Sequence, residues 1–472
     1  MTAACVLASG LAYALSMGVA AIWPLAWLAP LPILWLALRV SLRRAAVAAF
    51  LAYALGRSGG LPISLAIVPL PLLIASTLLS AAAFAVVVAA ARAVALRLDL
   101  RLYALAFPLF FAAWEQLAVV PVGAGAELGF SQADLLPLVQ VASLAGVVGV
   151  GFLVSLAPAT IATVLALRER GRPWRAVAAA GFGPIAAALA FGLVRLVEPP
   201  AAEPLRVGVA VSDETVGRSR TERADEALPV VDAYAARVAE LARRGAQVVV
   251  LPEKFVGVTP AYAAAVDERF SQAAASGGVW LVAGLNRVGR LTPRNVAVVF
   301  APDGRRVLEY DKVHLVPGYE DAYVPGRELG MLASAPGPWA VAVCRDLIVP
   351  ELGRRLARAG AGIVFAPAWD FVADGPLESR VARLRAIEGG FALVRVAQEG
   401  IVTVSDPQGR VRLAVPSSSA REVLEVVEVS PGLGATLYAR AGDWFGLACI
   451  AGSALLLLAR WMRSRSAPQV AA

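Results

Sequence analysis

Hydrophobic and polar positions divide the chain into two kinds of territory. Residues 3–22 and 24–38 are apolar runs separated at Trp23-Pro24, with Arg39, Arg43 and Arg44 behind them. Further runs cover 45–56, about 62–91, 103–120, 136–167 and 176–196, and a last one covers 444–460. A helix needs about 20 apolar residues to cross the hydrocarbon of a bilayer. The pattern therefore predicts about seven spans in a membrane domain, 1–198, and an eighth in a C-terminal segment, 441–472, that ends in a basic tail. The run at 45–56 is short and must borrow from its flanks. Glu115 is the one acid embedded in an apolar run, either a functional group or a side chain close enough to the interface to be wet.

Between the apolar parts, residues 203–437 carry a different rhythm. Pro199 and Pro200 mark the linker. Arg206-Val-Gly-Val-Ala-Val-Ser predicts a strand, 223–243 a helix with one apolar face, and Gln247-Val-Val-Val-Leu-Pro-Glu253 a buried strand. A helix near 260–275, a strand from Val279, a strand at 295–302 and one at 306–312 follow, the last two forming a hairpin around Asp303-Gly304. Pro338–Cys344 reads as a strand, followed by a helix from about 350, a strand at 362–366, a helix at 376–390, and strands at 391–397, 401–405 and 422–429. Strands alternating with helices predict an α/β domain whose helices cover mixed sheets.

Composition sharpens this division. The chain is 59% hydrophobic with a mean hydropathy of +0.69, too apolar for an ordinary soluble protein. The net charge of +8 is not a nucleic-acid footprint, because the arginines sit in short loops between apolar runs. If the first run exits the cytoplasm, the clusters at 39–44, 92–101, 168–175 and 460–465 all fall on the cytoplasmic side. Only Arg57, Arg195 and Arg440 then lie near the other face, which follows the positive-inside rule and makes 203–437 extracytoplasmic. The first run lacks the basic start of a signal peptide, and a second run follows at once.

Three cysteines make no disulfide framework. Cys5 and Cys449 lie in apolar runs, so Cys344 is the only thiol of the α/β domain. Only two lysines occur, Lys254 and Lys312. A lysine kept where arginine otherwise serves marks a need for a compact ammonium.

Cys344, Glu253 and Lys312 each stand at the end of a predicted strand, where α/β proteins place reactive groups. Taken singly, each is as well explained by packing or solvation. Together they are the parts of covalent acyl transfer: a carboxylate to take a proton, a thiol to attack a carbonyl, an ammonium to meet the oxyanion. His314, the only histidine, reads as a local packing or bonding group. No metal cluster, cofactor motif or phosphate-cradling glycine loop is present in the sequence.

Val250-Leu-Pro-Glu253, Tyr310-Asp-Lys312-Val-His-Leu-Val-Pro317 with Gly318 and Glu320 beyond, and the strand into Cys344 resemble the motifs of the nitrilase (carbon–nitrogen hydrolase) superfamily. Seven spans before such a domain and one after it are similar to the apolipoprotein N-acyltransferase family of the bacterial envelope. Gly129-Phe-Ser-Gln132 and Tyr438-Ala-Arg-Ala-Gly-Asp-Trp444 also resemble that family. The resemblance implies a multi-span helical membrane domain joined to an α-β-β-α sandwich, in the bacterial inner membrane. It implies a ping-pong reaction in which Cys344 takes a fatty acyl chain from a phospholipid as a thioester. The N-terminal amine of a lipidated apolipoprotein then receives it. Glu253 would be the proton acceptor, Lys312 the oxyanion stabiliser and Glu320 a supporting carboxylate, with no cofactor, no metal and no nucleic-acid partner.

Several loops depart from the family pattern. Arg345 and Asp346 follow the nucleophile where an aromatic and Glu are usual. Ala366-Pro-Ala-Trp369-Asp370-Phe replaces Asn-Asp-Ala-Trp-Phe-Gly, Val211-Ser-Asp-Glu replaces a Gln-Gly-Asn-type segment, and the arm at 121–128 is small and apolar. These differences admit two alternatives: a membrane-anchored amide hydrolase using the same Glu-Lys-Cys triad, and a lipid-binding protein that keeps the fold without the chemistry.

Overall fold

The computed structural model describes residues 1–18, 21–122, 127–199, 203–289, 292–417 and 422–466. Most of the small apolar arm (123–126) and Pro200 of the linker lie outside these residues. The chain forms two compact units, Met1–Val197 with Ala441–Ala472, and Glu198–Arg440.

In the first unit, five described helices are long and apolar enough to cross a membrane: Leu42–Leu65, Leu70–Arg97, Ala142–Glu169, Arg175–Val197 and Trp444–Arg465. Thr2–Met17 and Trp23–Ala37 are shorter apolar helical stretches, and Tyr103–Val122 is a further helix. The apolar run at 62–91 is split, because Val68 precedes Pro69 and is extended (φ −108°, ψ 130°); a proline disfavours helical backbone in the residue before it. The short run at 45–56 does borrow from its flanks. Its helix starts at Leu42, where the Ser41 hydroxyl accepts from Arg44 N–H, and a tight turn at Arg57–Gly60 carries it onward.

Rings fill the middle of this unit. Tyr53 stacks on Phe84 at 4.7 Å, and Tyr13, Phe107, Phe111 and Trp114 close around them edge-on or tilted. Leu72, Leu79, Val86 and Leu455 point outward, as expected where the solvent is lipid. Glu115 is buried, and its Oε1 accepts the Leu128 N–H at 2.6 Å. Gln132 accepts from Trp27 Nε1 at 2.9 Å and donates to the Trp23 carbonyl at 3.2 Å. Gln132 thus ties the Gly129–Gln132 turn to the first helices. The four arginine clusters meet at one end of the unit: Arg92 donates to the Val40 carbonyl, Arg39 pairs with Glu169, Arg172 with Asp99, and Arg463 donates to the Leu98 carbonyl.

The second unit contains strands β1 (Leu205–Val211), β2 (Val248–Val250), β3 (Gly257–Val258), β4 (Trp280–Arg287), β5 (Arg294–Phe300), β6 (Arg306–Asp311), β7 (Gly330–Met331), β8 (Trp339–Val341), β9 (Ile363–Trp369), β10 (Ala392–Gln398), β11 (Ile401–Ser405), β12 (Val411–Pro416) and β13 (Val423–Val429). One sheet runs β13-β1-β2-β4-β5-β6 with β3 beside β4; the other runs β12-β11-β10-β9-β8-β7. Alternation along the strands sorts side chains into layers. Val248 and Val250 face Val341, Phe365 and Val394 between the sheets. Val249 and Leu251 face the helices Ala224–Arg243 and Ala263–Gly277. Val364 and Ala366 face Pro350–Arg358 and Gly375–Gly389. The result is an α-β-β-α sandwich.

Two local expectations change. The strand before Cys344 ends at Val341, and the cysteine opens a tight turn, Cys344–Leu347. The edge strand β12 is half-exposed and is missing from the sequence reading, because its weak alternation borders a Pro-Ser-rich stretch.

Candidate active site

The site forms where the ends of the two sheets face each other. Glu253 lies three residues beyond β2, on a loop that rests directly on β4. A Cβ at Gly284 would meet the Pro252 carbonyl oxygen at 2.3 Å and Glu253 Cα at 2.7 Å, so only glycine permits this approach. The other sheet grips the same loop: Glu253 N–H donates to the Ala368 carbonyl at 3.3 Å, and Gln398 Nε2 donates to the Glu253 carbonyl at 2.7 Å. Lys312 follows β6 directly, its N–H bonded to the Asn295 carbonyl at 2.9 Å.

These placements bring Glu253, Lys312 and Glu320 together, each about 1% exposed. Lys312 Nζ lies 2.9 Å from Glu253 Oε1 and 2.9 Å from Glu320 Oε2. Asn295 Nδ2 donates to both carboxylates, at 2.6 and 2.7 Å. Glu320 also accepts from Val316 N–H at 2.9 Å and Lys254 Nζ at 2.5 Å. Every capacity of Glu320 is therefore engaged. Glu253 differs, since its Oε2 is buried with no hydrogen-bond partner among the described residues. A carboxylate with one oxygen anchored and the other free can exchange a proton without losing its position.

Cys344 sits in left-handed backbone, φ +45°, an unfavourable state for a residue with a Cβ that is retained mainly at working sites. Its Sγ lies 3.6 Å from the Trp369 carbonyl oxygen. Asp346 holds the turn. It accepts Val343 N–H at 2.9 Å, His314 N–H at 2.8 Å and the Tyr310 hydroxyl at 2.7 Å. One carboxylate thus couples the cysteine turn to the Lys312 loop. His314 contributes its own ring contact to Asp346 at 3.3 Å, a local bonding role.

Electrostatics follow from this packing. A strip of Cys344 remains accessible, yet burial pushes its thiol well above the ordinary range, and Glu253 adds to that. Lys312 and Arg395 oppose the rise without cancelling it. The sulfur therefore rests as a thiol that needs a base at the moment of attack. Burial alone would lower Lys312, but the carboxylates of Glu253 and Glu320 at 2.9 Å oppose it and favour the charged ammonium. Beyond the cysteine, Arg395 makes a buried ion pair with Asp370, one contact being 3.0 Å.

The structure gathers Glu253, Lys312, Glu320 and Cys344 around one region. The sequence singles out Lys254 by its rarity without placing it in the site, and it gives Asn295 and Asp346 no role there. Asn295 had a signal, a polar residue interrupting an apolar strand. Asp346 had been noted only as a departure. Among the described residues no group of His, Cys, Asp or Glu is placed to hold a metal ion.

A sandwich carrying cysteine, glutamate and lysine at facing sheet ends defines the carbon–nitrogen hydrolase class. Residues 217–436 match the model of that family, "Carbon-nitrogen hydrolase", and residues 9–160 match "Apolipoprotein N-acyltransferase N-terminal domain". Relatives named apolipoprotein N-acyltransferase include one from Geobacter metallireducens, 27% identical over 70% of this chain and 68% of its own length. One from Gloeobacter violaceus is 31% identical over 56% of each chain. One from Bradyrhizobium diazoefficiens is 27% identical over 77% of this chain and 74% of its own. Both halves of the chain thus match what apolipoprotein N-acyltransferases carry, a helical N-terminal domain and a carbon–nitrogen hydrolase domain, and together these matches support a membrane N-acyltransferase. The amide-hydrolase alternative is not favoured, because the helical half matches the acyltransferase family's own N-terminal domain.

Proposed function

We propose that the protein moves a fatty acyl chain from a phospholipid to the N-terminal amine of a lipidated apolipoprotein, through a thioester on Cys344. The observation that carries this reading is the asymmetry of Glu253, anchored through Oε1 and free at Oε2. In the first half-reaction Sγ attacks the ester carbonyl while Glu253 takes the thiol proton. The tetrahedral oxyanion forms against the Lys312 ammonium. The C–O bond then breaks, Glu253 returns the proton to the leaving glycerol oxygen, and the thioester remains. In the second, the amine nitrogen attacks the thioester carbonyl, Glu253 takes its proton, the C–S bond breaks, and the proton returns to sulfur as the amide forms. Glu320, saturated with donors, keeps Lys312 in place rather than exchanging protons itself.

The setting we propose is the bacterial inner membrane, with residues 203–437 outside the cytoplasm and the arginine-rich end of the helical unit inside it. Intact-mass analysis after incubation with phosphatidylethanolamine tests the chemistry. A long-chain acyl adduct on Cys344 that disappears on adding a diacylglyceryl-cysteine peptide is expected. A small polar adduct, or none, would overturn the proposal. Replacement of a depleted apolipoprotein N-acyltransferase by this chain in living cells tests the acceptor.

A further inference from the structure

Both lysines of the chain end on one carboxylate. Lys312 Nζ meets Glu320 Oε2 at 2.9 Å and Lys254 Nζ meets Glu320 Oε1 at 2.5 Å, in a chain whose other basic side chains are arginines and one histidine. Lys254 also lies 4.0 Å from Glu253 Oε1. Its ammonium sits over the rings of Tyr323 (5.1 Å) and Trp369 (5.6 Å), and its side chain is 12% exposed. Trp369 is the residue whose carbonyl meets Cys344 Sγ. The backbone of Lys254 is left-handed, φ +45°, a position where glycine would cost least. A lysine is kept there under strain, with its charge aimed into the site.

We propose that Lys254 is a positioning residue of the acyl-transfer centre: it neutralises Glu320, so that Lys312 stays shared between Glu320 and Glu253 and faces the reacting carbonyl. This rests on the acyl-transfer reading above. Two buried carboxylates and two ammoniums balance. Without Lys254, Lys312 would be the only cation on both acids, and the site would carry an uncompensated buried charge.

The pH dependence has a defined sign. The groups around Glu320 are Lys312, Lys254, Asn295 and the Val316 N–H, with Glu253, Tyr323 and Trp369 facing Lys254 and Cys344 facing Lys312. Burial raises the Glu320 carboxyl, but Lys312 and Lys254 outweigh burial and hold it low. Removing Lys254 lets it climb. Once protonated, Glu320 no longer holds Lys312, so activity at the acid end is lost at a higher pH than in the parent.

The test is the acylation rate of Cys344 by phosphatidylethanolamine in detergent micelles, read by quench and intact mass on the full chain across about pH 2 to 9. Lys254→Met keeps an unbranched stem of similar length and removes the ammonium that sits over the two rings. We expect its rate constant to fall about tenfold at neutral pH and its acid limb to rise by about one pH unit. Lys254→Arg keeps the charge, and its limb should stay within about 0.3 unit of the parent's. A Lys254→Met limb coincident with the parent's, or an equal loss at every pH, would overturn the inference. Should Lys254→Met fail to fold, Lys254→Arg decides, since a limb displaced by about one unit despite the retained charge contradicts it. No acyl adduct in the parent would instead reject the acyl-transfer reading itself.

Discussion

The helical unit and the α/β unit treat polar groups in opposite ways. In the helical unit, buried Glu115 and Gln132 bond to backbone groups, one indole and the Ser131 hydroxyl, and charge is gathered at one end. The α/β unit concentrates charge inside instead: Glu253, Lys312 and Glu320 form one nearly inaccessible cluster, and Asp370 pairs with Arg395 in another. The difference teaches where chemistry can be built. Lipid punishes an unpaired charge without offering partners, so the helical unit limits polar side chains to fastening its turns. A protein core cut off from water makes buried ion pairs strong and stiff, which suits a site that must hold a base and an ammonium in register.

The largest expected effect breaks the second unit's role alone. Cys344→Ala should reduce acyl transfer by more than about a thousandfold, while the protein still fractionates with the membrane; normal transfer by this variant would end the comparison. Phe84→Ala strikes the other unit. It empties a ring position at the centre of the helical bundle and should cost about 3–5 kcal/mol in a denaturation series. The Cys344 adduct should still form in whatever protein remains folded. Lys312→Arg should slow acylation by about a hundredfold, because the guanidinium cannot place its charge where an ammonium contacts both carboxylates. Full activity there would show that any cation suffices.

Asn295→Ala removes the donor shared by Glu253 and Glu320. It should lower the acylation rate about tenfold with little change in the donor's KM, which distinguishes misplacement of the base from lost substrate binding. Leu79→Ala is the control, at a side chain 73% exposed on a helix read as membrane-spanning. Thermal stability should move by no more than about 0.5 kcal/mol; a larger loss would mean that this face is packed against protein rather than lipid.

Much of this was legible in advance, for identifiable reasons. Long apolar runs are a lipid signal that needs no tertiary partner, and the arginine clusters between them turned out to share one end of the helical unit. Short continuous apolar runs at 248–251 and 362–366 named strands buried on both faces. Glu253, Lys312 and Cys344 could be picked out because each closely follows a strand. The split at Pro69 was written in the sequence but was overridden by apolarity in the reading. Asn295, Lys254 and Asp346 were not legible as partners, since their meaning comes from residues 25 to 66 positions away that only the two sheets bring near.

The sequence by itself determined which segments lipid would accept, which would alternate into sheets, and which three reactive groups the chain possesses. Only the tertiary structure decided that both lysines converge on Glu320, that one oxygen of Glu253 is anchored and the other left free, and that Asp346 couples the cysteine turn to the lysine loop. The physical reason is range. Hydrophobic periodicity is set by neighbours along the chain, whereas a buried charge network depends on distances of about 3 Å between side chains that lie far apart in sequence.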